Sequence, residues 1–242
     1  MNQKHTLVVG GTRGLGREFV RYFRSKGHVV SVVSRNLPKT KVDNSVFYFR
    51  ADISKERPLL AALKQCVAKA GPLDTVVLAQ RYRGDDVWNG EFSTTLGATR
   101  NTIEFAKNHF HAAGSKAVLV ISSVAGRYFI DDPPVGYHMS KAALEQLVRY
   151  YAVELGPKGI RVNGVAPCAF VKEESRDFYM KNKKIQAFYR SIAPLKRMVT
   201  TQDITYLGGA LSHPDCYVTG QVIVMDGGIS LLWPEAAAKR VK

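Results

Sequence analysis

Apolar residues fall into short, continuous runs separated by longer stretches whose apolar positions recur three and four apart. The runs are Thr6 to Gly10, Val29 to Val33, Val46 to Phe49, Asp74 to Ala79, Ala117 to Ile121, Ile160 to Ala166 and Gln221 to Met225. Most are valine- and isoleucine-rich without polar alternation, the pattern of strands buried on both faces. Between them the spacing is helical. Leu15, Phe19, Val20 and Phe23 mark one face of a helix to Lys26, with Gly27 as its stop. Further helices are expected over Ser54 to Lys69, broken by Gly71-Pro72, over a polar region from Glu91 to His111, and over Thr201 to Leu211. Another carries Leu144, Leu147, Val148 and Tyr151 and ends near Leu155. Strands alternating with helices predict an α/β fold, a parallel sheet covered on both faces. Internal repeats and linkers are absent from the pattern, so residues 1–232 are expected to form one domain and 233–242 a tail.

The turn between the first two runs reads Gly10-x-x-x-Gly14-x-Gly16 and opens a helix. Glycines at such a turn let the backbone approach a ligand closely, and the helix N-terminus behind them favours a pyrophosphate. The spacing differs from the GxGxxG fingerprint, but its place between strand and helix supports a dinucleotide site built from Gly10, Thr12, Arg13, Gly14, Leu15 and Gly16. The second strand ends in Ser34-Arg35-Asn36, where an NAD-selective site usually carries an acid for the ribose 2′-hydroxyl. Two guanidiniums, Arg13 and Arg35, suit a 2′-phosphate instead, so NADP(H) is the expected cofactor. At roughly 1.5–3 kcal/mol per charged hydrogen bond, one such contact favours NADP about tenfold or more.

A second candidate lies at Tyr137-His-Met-Ser-Lys141. Helical spacing downstream places both residues at a helix start, on one face and one turn apart. An ammonium beside a phenol stabilises the phenolate, which suits a phenol that hands a proton to a carbonyl oxygen. Taken alone, the pair reads more readily as an ordinary helix N-terminus with a surface lysine; the other motifs of the chain change that reading.

These motifs occur in one order with Asp52-Ile53, Ser122-Ser123, Ile160-Arg-Val-Asn163 and Thr219-Gly-Gln-Val…Asp226-Gly-Gly228. Together they resemble the short-chain dehydrogenase/reductase family over nearly the whole chain, and within it ketoreductases of the 3-oxoacyl-carrier-protein type. The resemblance implies a single-domain Rossmann fold with a doubly wound, seven-stranded parallel sheet, assembled as a homo-oligomer (tetramer or dimer). It implies that Ser123 hydrogen-bonds a substrate carbonyl, that Tyr137 gives or takes the proton, and that Lys141 binds the nicotinamide ribose and tunes Tyr137. It further implies Asp52 and Ile53 beside the adenine, and cofactor contacts from Ala79, Gln80, Pro167 and Phe170. Four positions depart from the family pattern. Leu78-Ala-Gln-Arg81 replaces Asn-Asn-Ala-Gly, Thr95 replaces the asparagine of the tetrad, Pro167-Cys168 replaces Pro-Gly, and Lys172 falls near the threonine that holds the nicotinamide amide. The adenine half therefore reads as intact and the nicotinamide half as altered.

The expectation is an NADPH-dependent ketoreductase acting on a small-molecule ketone or alcohol; the alternative is a catalytically weakened NADP-binding regulator or scaffold. Arg81-Tyr82-Arg83, with Lys172, either grips an anionic substrate (a carboxylate, a nucleotide-linked sugar or a phosphopantetheine thioester) or pairs with Asp85, Asp86 or the cofactor pyrophosphate. The charged stretch 172–196 corresponds to the family's substrate lid.

Composition narrows the classes further. A net charge of +15 attracts anions, but the basic residues are dispersed without a nucleic-acid-binding module, so a nucleic-acid partner is not expected. No apolar run is long enough to span a membrane. Three scattered cysteines suit a reducing cytoplasm and argue against disulfides, and no metal site is expected. His109 and His111 fall on different helix faces, Asp131-Asp132-Pro-Pro reads as a turn, and Cys168 as a space-filling thiol.

Overall fold

In the computed structural model, residues 3–38 and 43–240 are described; residues 1–2 and 39–42 of the expected domain and 241–242 of the expected tail lie outside them. The chain begins β1 (His5–Val9), α1 (Gly14–Ser25), β2 (Val29–Ser34), β3 (Val46–Arg50), α2 (Glu56–Ala70) and β4 (Thr75–Leu78). It continues through α3 (Val87–Glu91), a π-helical stretch (Phe92–Gly97), α4 (Ala98–Ala106), β5 (Lys116–Ile121), α5 (Val135–Leu155) and β6 (Ile160–Pro167). It closes with β7 (Phe170–Val171), α6 (Arg176–Lys181), α7 (Lys183–Ile192), β8 (Val199–Thr200), α8 (Thr201–Ser212), β9 (Val222–Met225) and α9 (Pro234–Ala238).

Strands β3-β2-β1-β4-β5-β6-β9 form one seven-stranded sheet with every pair parallel. Successive residues along a strand face opposite sides, and both sides are buried. Leu7 and Val9 pack with Leu59, Leu63, Leu144 and Val148 of α2 and α5, while Val8 packs with Phe19, Val20 and Ile204 of α1 and α8. That double cover is why the strands read as unbroken apolar runs.

The chain leaves β1 towards β2 and β3, then crosses back to place β4 on the other side of β1. In the register, Val9 stands opposite both Val33 and Leu78, so the loops after β1 and β4 diverge from adjacent strand ends. Such a reversal at the carboxyl ends of a parallel sheet opens a crevice. Gly10 and Ala79 are the first residues of its two walls.

Two elements differ from the sequence expectation, and the helix start at Tyr137 agrees with it. The polar helical region starts at Val87, with Asp86 accepting from the Asn89 N–H at 3.2 Å, and is interrupted by the π-helical turn. Tyr137 lies in the first turn of a helix that begins two residues earlier, after the bends at 131–133. The expected tail carries a short helix, α9, with Pro234 in its first turn, where a missing N–H costs nothing. The lid stretch is helical too: α6 and α7 form an excursion whose ends are tied where Phe170 pairs with Val199.

Candidate active site

The crevice is lined by Gly10, Thr12, Arg13, Ser34, Arg35 and Ile53, and across from them by Ala79, Gln80, Arg81, Arg83 and Thr94. Its floor requires glycine. A Cβ on Gly16 would lie 2.2 Å from the Gly10 carbonyl oxygen, and one on Gly10 (φ +84°) 2.7 Å from the Gln80 Cα. Gly14 and Leu15 open α1 behind the turn. The Thr12 and Ser34 hydroxyls meet at 3.0 Å, tying the turn to the end of β2. Arg13 and Arg35 are exposed and form no ion pair among the described residues. Gln80 is buried, donates to Thr99 Oγ1 at 2.8 Å and leaves its own Oε1 without a partner. Glycine cradle, free guanidiniums and an orphaned acceptor fit a dinucleotide.

Asp52 is placed differently from Ile53. Its carboxylate accepts from the Ser54 hydroxyl at 2.7 Å and backbone N–H at 3.2 Å, and it is not part of the crevice lining. The Ser54 hydroxyl, with its N–H and the Lys55 and Arg35 charges, outweighs burial and holds the carboxyl below its usual range. Pro167 ends β6 and Phe170 lies in β7, also outside that lining, with the Lys172 ammonium 5.1 Å above the Phe170 ring.

A second cavity, of about 260 Å³, adjoins the crevice and shares Arg81 and Arg83 with it. Tyr137, Tyr82, Glu91, Pro133 and Pro134 complete its wall. Two cations flank the Tyr137 ring: the Arg81 guanidinium at 5.0 Å and the Lys141 ammonium at 5.5 Å from its centroid. Lys141 is only 3% exposed and donates to the Ile121 carbonyl at 3.0 Å, while the Ser122 hydroxyl donates to the Lys141 carbonyl. Burial, then the Arg81 charge, pushes its ammonium down to about 8, against the opposing pull of Glu91. Ser123 is buried at the end of β5, where its hydroxyl accepts from the Ala125 N–H at 3.2 Å.

Arg81 and Arg83 form no ion pair with Asp85 or Asp86, whose side chains make none among the described residues. Lys172, half-buried, is pushed below the usual lysine range by burial first and then by Arg81 and Arg83, with Glu174 pulling the other way. Burial, then Asp226, raises the Cys168 thiol to about 11, in keeping with a packed sulfur. His109 donates from Nδ1 to the Phe105 carbonyl at 2.7 Å, and His111 stands 3.7 Å from Asp74.

Two acidic groups at the site have no counterpart in the sequence reading. Glu174, on the lid stretch, accepts from the Gly14 N–H at 2.8 Å. Arg17 pairs with Glu173 at 2.7 Å and Glu174 at 3.1 Å, and Arg21 with Glu173 at 2.9 Å. Arg13, the N-cap residue of α1, supplies no side-chain cap, so this foreign carboxylate takes the helix's first N–H. Glu91 is 2% exposed, and its Oε2 accepts from the Thr95 hydroxyl and, at 3.4 Å, from the Ser140 hydroxyl. The four-residue spacing of Glu91 and Thr95 was the available signal for the first of these contacts; the second joins residues 49 apart.

Residues 9–230 match a family model described as enoyl-(acyl carrier protein) reductase. The chain is 28% identical to isoepoxydon dehydrogenase of Penicillium expansum, covering 93% of this chain and 94% of that one. It is also 28% identical to a 3-oxoacyl-[acyl-carrier-protein] reductase of Mus musculus, covering 94% and 98%. Among solved structures, one titled ElxO with NADP bound superposes with a TM-score of 0.81 at 24% identity, over 95% of this chain and all of that one, a likeness of fold. The chain belongs to the short-chain dehydrogenase/reductase family, whose members are oxidoreductases that use nicotinamide cofactors. No helix among the described residues is long and apolar enough to cross a membrane.

Proposed function

We propose that the chain is an NADPH-dependent ketoreductase that reduces the carbonyl of a small anionic compound. The observation that carries this reading is the flanking of Tyr137 by two cations in a cavity continuous with the glycine-floored crevice. Gly10, Thr12, Ser34, Ile53, Ala79 and Gln80 would hold the adenosine half, with Arg13 and Arg35 on its 2′-phosphate and Gly14, Leu15 and Gly16 beneath the pyrophosphate. Asp52 would turn from Ser54 towards the adenine, and Pro167 and Phe170 would border the nicotinamide. The nicotinamide, when bound, supplies the hydride.

Tyr137 donates its phenolic proton to the substrate oxygen as the carbonyl carbon is reduced. Lys141 stabilises the phenolate left behind, and Ser123 donates a hydrogen bond to the same oxygen. Holding these groups in one orientation lowers the entropic part of the barrier. Among the described residues Arg81, Arg83 and Lys172 make no direct ion pair with a carboxylate, and a substrate carboxylate or phosphate would supply one. The stretch 172–196 acts as the lid of the 1–232 domain, and the protein works as a cytoplasmic homo-oligomer.

The rival reading, an NADP-binding regulator or scaffold, draws on one observation: Glu174 holds the Gly14 N–H that a pyrophosphate would use. Fluorescence titration with NADPH and NADH, followed by a carbonyl screen read as loss of NADPH absorbance, separates the two. The enzyme reading expects turnover that Tyr137→Phe abolishes with NADPH affinity kept. Binding without turnover on any carboxylated, phosphorylated or thioester ketone would overturn it in favour of the regulator.

A further inference from the structure

Tyr137 and Lys141 are not the whole of the charged machinery around the cavity. Glu91 comes from a different helix, α3, and lines the cavity with Tyr137, on whose ring the Lys141 ammonium sits at 5.5 Å. Its place is built in detail. The Tyr82 ring lies against Gly90, where an added Cβ would fall 2.1 Å from the ring, so α3 is held close to the cavity wall. The π-helical turn that starts directly after Glu91 carries Thr95, whose hydroxyl donates to Glu91. The hydroxyl of Ser140, the residue before Lys141, lies 3.4 Å from the same oxygen, its closer acceptor being the Tyr137 carbonyl at 2.9 Å. A carboxylate at 2% exposure needs such donors, and a hydrocarbon side chain would be the cheaper filling for a structural site.

We propose that Glu91 is a positioning residue for the reaction, the fixed counter-charge that keeps the buried Lys141 an ammonium while it supports Tyr137. The inference rests on the reading of Tyr137 as proton donor for its kinetic consequence only.

The groups facing Lys141 come from each element around it. Arg81, after β4, repels the ammonium; Glu91, from α3, attracts it; Tyr137 shares its helix; and β5 presents the Ile121 carbonyl and the Ser122 hydroxyl, neither of which carries charge. Burial and Arg81 both favour the neutral amine, and among the described residues Glu91 is the acid that opposes them. Glu91 makes no ion pair within 4 Å of Lys141 among the described residues, so it acts through the field across the cavity wall and not by direct proton exchange.

The test reads Lys141 itself. Lysine labelled with carbon-13 at Cε reports its titration, the resonance being assigned by its loss in Lys141→Arg. Glu91→Gln keeps the shape and an acceptor for both hydroxyls while removing the charge. Its Lys141 midpoint is expected to fall by about one unit, the low end for an opposite charge within several ångströms. Glu91→Asp keeps the charge one methylene further away and should give a smaller fall. In reduction assays the alkaline limb of kcat/KM should move to lower pH by the same amount, with the NADPH dissociation constant within twofold of wild type. A Lys141 midpoint unmoved in Glu91→Gln, or in Glu91→Asp should the amide variant fail to fold, overturns the proposal. Turnover surviving Tyr137→Phe would instead overturn the reductase reading and leave the Lys141 titration to judge Glu91 alone.

Discussion

Replacing Glu173 and Glu174 by glutamine should tighten cofactor binding, although neither residue belongs to any expected cofactor site. Their carboxylates close over the start of α1, with Glu174 on the Gly14 N–H, Arg17 bridging the pair and Arg21 bound to Glu173. Burial works against the Glu174 charge, but the Gly14 N–H, its own N–H, Arg17 and Lys172 outweigh it and hold the carboxyl below its usual range. A pyrophosphate and this clasp cannot share the same N–H, so a dinucleotide bound there requires Glu174 to move away. The magnitude follows from exposure. A fully desolvated charged hydrogen bond contributes roughly 1.5–3 kcal/mol. Here the side chains are 26% exposed for Arg17, 43% for Glu174 and 52% for Glu173, so each contact is discounted by solvent to about 0.2–1 kcal/mol. The clasp as a whole then holds the closed form by about 1 kcal/mol. Apparent affinity scales with the fraction of open protein, so the double variant should bind NADPH roughly three- to tenfold more tightly. Fluorescence titration of both proteins at one fixed ionic strength measures this. Unchanged or weaker NADPH binding by the double variant would refute the reasoning, because it would mean the acids do not compete for the helix terminus.

Other expectations are independent of the clasp. Gly16→Ala should abolish dinucleotide binding while leaving the circular dichroism of the fold intact, since its Cβ would strike the Gly10 carbonyl and force the turn open. Arg35→Ala and Arg13→Ala should each lower the ratio of NADPH to NADH affinity about tenfold, mainly through NADPH, as read by parallel titrations. Stability should fall on acidification in a window set by His28. Burial, then Lys4, lowers this ring from 6.5 to about 4. Between those values the unfolded chain binds a proton that the folded one refuses, so the urea midpoint drops as pH falls from 6.5 towards 4. His28→Asn should flatten that slope, and equal slopes in both proteins would exclude His28 as the cause.

The sheet was legible because its signals are local. Strands covered on both faces leave continuous valine runs, and the Gly10–Gly16 turn needs only its neighbours in sequence to be recognised. The spacing of Tyr137 and Lys141 is a property of one helix. What escaped depends on contacts between distant segments. Glu174 meets Gly14 across 160 residues, and nothing in a glutamate pair within a charged stretch distinguishes a clasp from a solvated surface. The π-helical turn at Phe92–Gly97 adds a residue without changing composition, so the register of Glu91 and Thr95 against α5 could not be read from periodicity. Asp52 shows the reverse case: a motif residue whose carboxylate is occupied by its neighbour Ser54.

The charge distribution links the two halves of the site. Arg81, Arg83 and Lys172 crowd one another, and Glu174 is the acid that offsets the strain on Lys172 while its oxygen also holds the Gly14 N–H. One carboxylate therefore bears on both the Gly14 turn and Lys172. Moving it away for a dinucleotide removes the opposing charge from Lys172, and an arriving pyrophosphate restores negative charge at Gly14 but not within the 260 Å³ cavity. In that cavity Arg81 stands above Tyr137 and makes no ion pair among the described residues, Glu91 being held by hydroxyls instead, the condition in which an anionic carbonyl compound gains from entering. The proposed order is then dinucleotide first and anion second. Product-inhibition patterns would test it: NADP should compete with NADPH, whereas the alcohol product should not.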